Sequence, residues 1–434
     1  MKKVRVGVLG GYRGSSMINY CKRADHAEVV AICDNNPEVL AIQKEKADGM
    51  DIAFYDNFDE FLEHDMDAVV LANFAHQHAP FAIKAMKKGF HVFSEVLPVQ
   101  TMKEAVELIE AVEETGMIYA YGENYCYMPA PFEMKKLYKE GRIGEFEYGE
   151  GEYIHNCESI WHAITYGEPD HWRNRMYSTF YCTHSLGPLI HITGLRPVSV
   201  VGFEGADNER RARGGAKGGP FGIEMVTLEN GGIVKSIHGG LYTNSVWYSI
   251  YGSKGSMESG REAVRDQNDG YIQNINVKWD EYSGKYEFKK ESYQPQHGDP
   301  EKVQGFGHGG SDYFCMYYFI EKILGNEEAD IIDVYEAMDM FLPGMFAFRS
   351  AIKGGIPMEI PNLRIKEERE KWRHDTACTD PEVAGDMLLP TRADGTPEID
   401  PAVYERMAAL WEEEKQKKDG SGHLQAAVNT GAKK

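Results

Sequence analysis

The sequence predicts two joined architectures: an α/β domain with a parallel sheet, then an α+β domain on a large, mostly antiparallel open sheet. Three observations point there. Short β-rich runs alternate with helical patterns over the first third of the chain, which requires crossover helices and parallel strands. A glycine-rich turn joins the first strand to the first helix, with an aspartate closing the second strand. After about residue 123 the strands become longer and more polar and are linked by Gly-containing turns, the pattern of an antiparallel sheet.

In order, VRVGVLG (4–10), AEVVAICD (27–34), DIAFY (51–55), DAVVLAN (67–73), FHVFSE (90–95) and MIYAYGE (117–123) read as strands. PEVLAIQKEKAD (37–48) and APFAIKAMKKG (79–89) carry apolar residues at helical spacing, and the second closes on a glycine. This is the pattern of a Rossmann domain over residues 1–123. Five further runs, at 145–154, 197–205, 223–229, 232–242 and 245–253, supply the second sheet, and helical spacing returns at 311–325 and 333–355. The second domain is expected over 124–362. A charged extension, 363–434, holds an amphipathic stretch at 402–418, and its last 16 or so residues are disordered by composition.

The chain of 434 residues is 42% hydrophobic and 26% charged, an ordinary globular balance that excludes wholesale disorder. Its formal charge of −21 repels phosphate backbones and anionic membranes, so neither nucleic acid nor membrane is an expected partner. Seven cysteines without a C-x-x-C pair fit reduced thiols. The N-terminal apolar run is too short and too interrupted for a signal peptide, and no stretch approaches a membrane span. A cytoplasmic protein is expected.

The glycine turn carries the cofactor signal. Gly10, Gly11, Tyr12, Arg13 and Gly14 lead into SSMINYCKRA, so free backbone N–H groups and a positive helix end face a pyrophosphate. Asp34, 20 residues beyond Gly14, would accept hydrogen bonds from the adenosine ribose hydroxyls and repel a 2′-phosphate, favouring NAD over NADP. Tyr12 departs from the G-x-G-x-x-G spacing. A tight turn with a capping aspartate is the plainer reading of the same residues.

Several longer motifs then add a resemblance. VLANFAHQHAPFAIKAMKKGFHVFSE (70–95), GRIGEF (141–146) and YGSKGSMES (251–259) make residues 3–362 similar to the Gfo/Idh/MocA oxidoreductases. The resemblance implies NAD, hydride transfer at a sugar or polyol carbon, and a homo-oligomer, dimer or tetramer, formed through the open sheet. It also implies Asn73, His78, Glu95 and Asn124 as cofactor contacts. Where most of the family ends the fifth strand with Glu-Lys-Pro, this chain has Glu95-Val96-Leu97-Pro98, so the proton-moving lysine is missing. ENYCYM (123–128), GEYIHN (151–156), CTHSLGP (182–188) and HGGSD (308–312) resemble the branch of NAD-dependent α-N-acetylgalactosaminidases. Those enzymes oxidise the sugar at C3, eliminate the aglycone, add water and reduce C3 again.

By that resemblance His184 is the acid/base beside the reacting hydroxyl. Its usual aspartate companions are replaced by Phe180 and Gly187, so another group must fix its tautomer. Tyr125 and Tyr127 follow the sixth strand, at the cofactor end of the sheet, and one is expected to act for the missing lysine. Aromatic packing at the domain junction is the alternative. For the sugar, Trp161 and Trp172 offer flat faces, and His155, Asp170, His171, Arg173 and Tyr181 offer hydrogen bonds. His308 is expected to reach substrate while Asp312 caps the next helix. The histidines and cysteines between 155 and 191 lack metal-ligand spacing, so no metal is expected. Three functions remain open: a redox-neutral glycosidase, a sugar or polyol dehydrogenase forming NADH, and a non-catalytic nucleotide sensor. The strong negative charge favours a neutral small sugar or glycoside as substrate.

Overall fold

A computed structural model describes residues 3–261, 272–280 and 285–416. Its first sheet has strands β1 (Val4–Leu9), β2 (Ala27–Cys33), β3 (Ala53–Tyr55), β4 (Ala68–Leu71), β5 (His91–Ser94) and β6 (Tyr119–Tyr121). All pairings are parallel, in the order β3-β2-β1-β4-β5-β6. The order reverses between β1 and β4, and a crevice opens there at the carboxyl ends of the strands. Val6, Val8 and Ala68–Leu71 are fully or nearly fully buried because helices cover both faces. The Met102–Thr115 helix starts on a Thr101/Glu104 capping box and ends on left-handed Gly116, as its sequence dictates.

The second sheet holds β7 (Phe146–Ile154), β8 (Pro197–Glu204), β9 (Phe221–Leu228), β10 (Ile233–Gly239), β11 (Ser245–Gly252), β12 (Gly255–Ser259), β13 (Ile272–Asp280), β14 (Lys285–Tyr293) and β15 (Met358–Glu359). Its order is β14-β13-β12-β11-β7-β10-β9-β8-β15, antiparallel except for the β7/β10 pair. Burial along β9 and β10 alternates residue by residue, so one face is core and the other half-exposed. The Thr183–Thr193 and Val334–Ile352 helices cover the core face. The first of them lies against β7 with no room to spare, since a Cβ on Gly151 would stand 1.9 Å from the Ser185 carbonyl oxygen.

Residues 363–416 are a strap, not a loose appendage. Arg369, almost fully buried, donates to both carboxylate oxygens of Glu113 at 2.9 and 3.0 Å, and Arg349 grips Asp375 the same way. The Pro401–Gln416 helix packs on the short Trp161–Ile164 helix, with Tyr404 donating to the Gly215 carbonyl. The expected disorder at 419–434 lies outside the described residues. All seven cysteines are free. Among the described residues no helix is long and apolar enough to cross a membrane, and no three potential metal ligands gather.

Candidate active site

Gly10 leaves β1 at φ 91°, and a Cβ there would stand 2.4 Å from the Ala72 carbonyl oxygen, so only glycine fits this turn. The Ser15–Arg23 helix then begins without a side-chain cap or an acidic residue in its first turn, leaving its amides to an anion. Asp34 accepts from the Gly11 amide at 2.8 Å and from the Asn36 amide at 2.9 Å, which fixes the turn, and burial pushes its carboxyl up. Half-buried Tyr12 has neighbours in Tyr166, Arg173 and Glu414, so its ring leans toward the strap, and burial pushes its phenol up to about 12. Buried oxygens without a partner, Oδ1 of Asn73 and Oδ1 of Asn124, lie after β4 and β6. Glycine turn, uncapped helix and orphaned amide oxygens together fit a dinucleotide laid across the crevice.

Two expected cofactor contacts are differently engaged. Arg13 is held by two carboxylates: Nη2 lies 2.6 Å from Glu95, and the guanidinium donates to both oxygens of Asp312 at 3.1 and 3.2 Å. His78 is buried with Nδ1 2.8 Å from the Leu97 carbonyl oxygen and Nε2 3.2 Å from that of Asn73. Burial lowers its pKa to about 4, so the neutral ring donates to only one of these carbonyls, and both nitrogens face backbone.

His184 lies in the first turn of the Thr183–Thr193 helix, at the junction of the two sheets. Its Nδ1 donates to Glu123 Oε1 at 2.7 Å, and Nε2 has no partner among the described residues. Glu123 follows β6 and is fully buried. A Cβ on Gly187 would stand 3.1 Å from Glu123 Cγ, so the glycine that replaces the expected acid makes room for an acid from another segment. The group that sets the His184 tautomer is therefore Glu123, a residue quoted within ENYCYM but not singled out there. The signal available was the paired absence of an acid and presence of a glycine at 187.

Tyr125 packs on this imidazole, ring centroids 4.4 Å apart, and on Tyr153 at 5.2 Å. The Tyr153 phenol lies 2.9 Å from His155 Nδ1, which makes a phenol–imidazole relay that sequence reading missed. Burial, with His184, His308 and Arg173 nearby, lowers the His155 pKa. Tyr181 stands 5.6 Å from the His184 ring, and Arg173 stacks on Trp172 and Tyr181. His155, Arg173, Tyr181, His184 and His308 thus share one cleft.

Other expected residues are not brought to it. Tyr127 is buried on the far side of its turn, donating to the Asp330 carbonyl at 2.6 Å and packing on His191 and Tyr318. Trp161 is core, its indole N–H donating to Asn174 and its face covered by Arg211, so it offers no platform to a sugar. Asp170 is exposed and has Tyr404 of the strap as its neighbour. His171 is buried among Phe74, Tyr166 and Trp172, with Nδ1 accepting from the Arg173 amide. Trp172 is also buried, with Arg173 over its face. Asp312 does not cap its helix, whose N-cap is Gly310 without a side-chain bond; it binds Arg13, Ser16, Asn124 and His308 instead.

A nucleotide crevice facing a second, antiparallel domain, with imidazoles and phenols at the junction, defines an NAD-dependent oxidoreductase-type protein. Comparison with known proteins matches two of its segments to domain families. Residues 4–123 match the NAD-binding Rossmann domain of the Gfo/Idh/MocA oxidoreductase family, and residues 241–372 match the C-terminal domain of glycosyl hydrolase 109. The chain therefore carries an NAD-binding domain of the Gfo/Idh/MocA type followed by a C-terminal domain of the glycosyl hydrolase 109 type. It is 27% identical over 409 residues to a glycosyl hydrolase family 109 protein of Solibacter usitatus, covering 85% of this chain and 89% of that one. It is 25% identical over 411 residues to an α-N-acetylgalactosaminidase of Shewanella oneidensis, covering 86% and 87%. The structure of the aldose-aldose oxidoreductase of Caulobacter crescentus superposes with a TM-score of 0.64 at 18% identity, over 83% of this chain and 100% of that one, a likeness of fold.

Proposed function

We propose that this protein is an NAD-dependent glycosidase that cleaves a small neutral glycoside with no net redox change, by chemistry that begins at ring carbon C3. The observation that carries this reading is the state of the three carboxylates joined to His184 and Arg13. Glu123 is held by His184, while Glu95 and Asp312 are held by Arg13. None is free to form the acid/nucleophile pair that direct glycoside hydrolysis uses. The groups left for proton transfer are imidazoles and phenols, which suffice once a C3 ketone acidifies the C2 proton.

When bound, NAD would supply the hydride acceptor and, once reduced, the hydride donor. Asp34, Asn73, Asn124 and the Gly10–Gly14 turn would hold it. His184 Nε2 takes the C3 hydroxyl proton, and Glu123 stabilises the imidazolium that results. Tyr153 takes the C2 proton onto its phenol oxygen while passing its own to His155 Nδ1, 2.9 Å away, which burial keeps neutral before the transfer. Tyr125 supports the Tyr153 phenol, and Arg173 and Tyr181 line the sugar side.

Aryl glycosides of several N-acetylhexosamines and hexoses, assayed with and without added NAD, test the reading. Aglycone should appear without net NADH, and product formed in D2O should carry deuterium at C2. Net NADH without aglycone would replace the glycosidase with a dehydrogenase, and neither signal from NAD-loaded protein would point to a sensor.

A further inference from the structure

The glycosidase chemistry above has a base for the C3 hydroxyl and a relay for the C2 proton, but no proton for the departing aglycone. We propose that His308 is that proton donor, oriented by Asp312; this rests on the glycosidase reading. His308 Nδ1 lies 3.1 Å from Asp312 Oδ1 and 3.0 Å from Asn124 Nδ2, so the carboxylate accepts the Nδ1–H and fixes how the ring is turned. Asp312 is itself fixed by Arg13, Ser16 and Asn124, and its side chain is 1% exposed. The His308 side chain is 36% exposed, and its Nε2 has no partner among the described residues. The backbone supports the same conclusion: His308 sits at φ 54°, uncommon for a non-glycine residue, in a turn completed by Gly309 and Gly310.

His184, Tyr153 and His308 gather around one phenol ring, that of Tyr125. Tyr125 touches the His184 ring at 4.4 Å and the His308 ring at 5.7 Å, and packs on Tyr153. With His184 assigned to the C3 oxygen and Tyr153 to C2, His308 is the other imidazole packed on Tyr125 and is assigned to the oxygen on C1. In the elimination the C2–H pair becomes the C1=C2 bond as Tyr153 takes the proton. The C1–O pair leaves with the aglycone oxygen, which takes the proton from His308 Nε2. Hydration runs the same transfers in reverse, water giving a proton to Nε2 as its oxygen bonds C1. Glu95 and His155 are the other charged or titratable neighbours of this imidazole besides Asp312 and Tyr125.

The test compares two glycosides of one sugar, the 4-nitrophenyl glycoside with an acidic aglycone and the methyl glycoside with a poorly acidic one. His308→Gln, and His308→Asn because asparagine tolerates the positive φ, are measured beside wild type. NAD content and melting temperature report whether each variant folds. A leaving group that needs no proton tolerates loss of the acid, so kcat on the methyl glycoside should fall about 100-fold further than on the 4-nitrophenyl glycoside. Equal losses on both, from either folded variant, would overturn the assignment of His308 and leave the glycosidase reading standing. Wild type that releases neither aglycone would overturn the reading itself, and this inference with it.

Discussion

Replacing Glu123 by glutamine probes the contact on which the proposed chemistry turns. The carboxylate accepts the His184 Nδ1–H at 2.7 Å in a fully buried setting. A charge-assisted hydrogen bond of this kind contributes about 1.5–3 kcal/mol, and it counts fully only when His184 becomes an imidazolium. At ~1.4 kcal/mol per decade, kcat should fall about 10- to 150-fold while KM changes little. The upper end is favoured because Glu123 Oε2 has no partner to anchor a glutamine amide, whose nitrogen could then face Nδ1 and reverse the tautomer. Bound NAD, measured by release on denaturation, should stay at the wild-type level. Gly187→Ala is the independent check: its Cβ would press on Glu123 Cγ at 3.1 Å and on Met340 Sδ at 3.3 Å, so kcat should fall although residue 187 is not assigned to touch substrate. Activity within twofold of wild type in both variants would refute the role given to this pair.

Two further outcomes concern the scaffold. Gly151→Ala drives a methyl into the Ser185 carbonyl, so the helix carrying His184 must shift, and chemical denaturation should show a loss of about 1–3 kcal/mol together with reduced kcat. Burial lowers the His238 pKa from 6.5 to about 3. Its cost to stability is absent above pH 6.5 and grows as pH falls, because the unfolded chain takes up a proton that the folded chain refuses. His238→Gln should therefore gain on wild type by about 2 kcal/mol between pH 7 and pH 5 in urea melts, and a constant difference would contradict this account.

The two sheets, the nucleotide turn with Asp34, and the grouping of His184 with Tyr125 could be read along the chain because they depend on local signals. Strand alternation, glycine spacing and motifs of a few residues survive without any knowledge of what packs against them. Arg13, Trp161 and Tyr127 could not be placed that way. Each is of a type that serves a ligand as readily as a core, and its role depends on what another segment presents: Asp312, 299 positions away from Arg13; Asn174 beside Trp161; the Asp330 carbonyl over Tyr127. The same holds for the charged segment after residue 362, whose arginines find Glu110 and Glu113 on the first domain and tie it down.

What the sequence by itself determined was the pair of folds and the cofactor class, because secondary-structure periodicity and a phosphate-binding turn are short-range properties. Only the tertiary structure decided which acid serves His184. Glu123 and Gly187 are distant in the chain and meet because the Thr183–Thr193 helix packs beside the end of β6, where a missing side chain on one element leaves the volume that a carboxylate from the other fills.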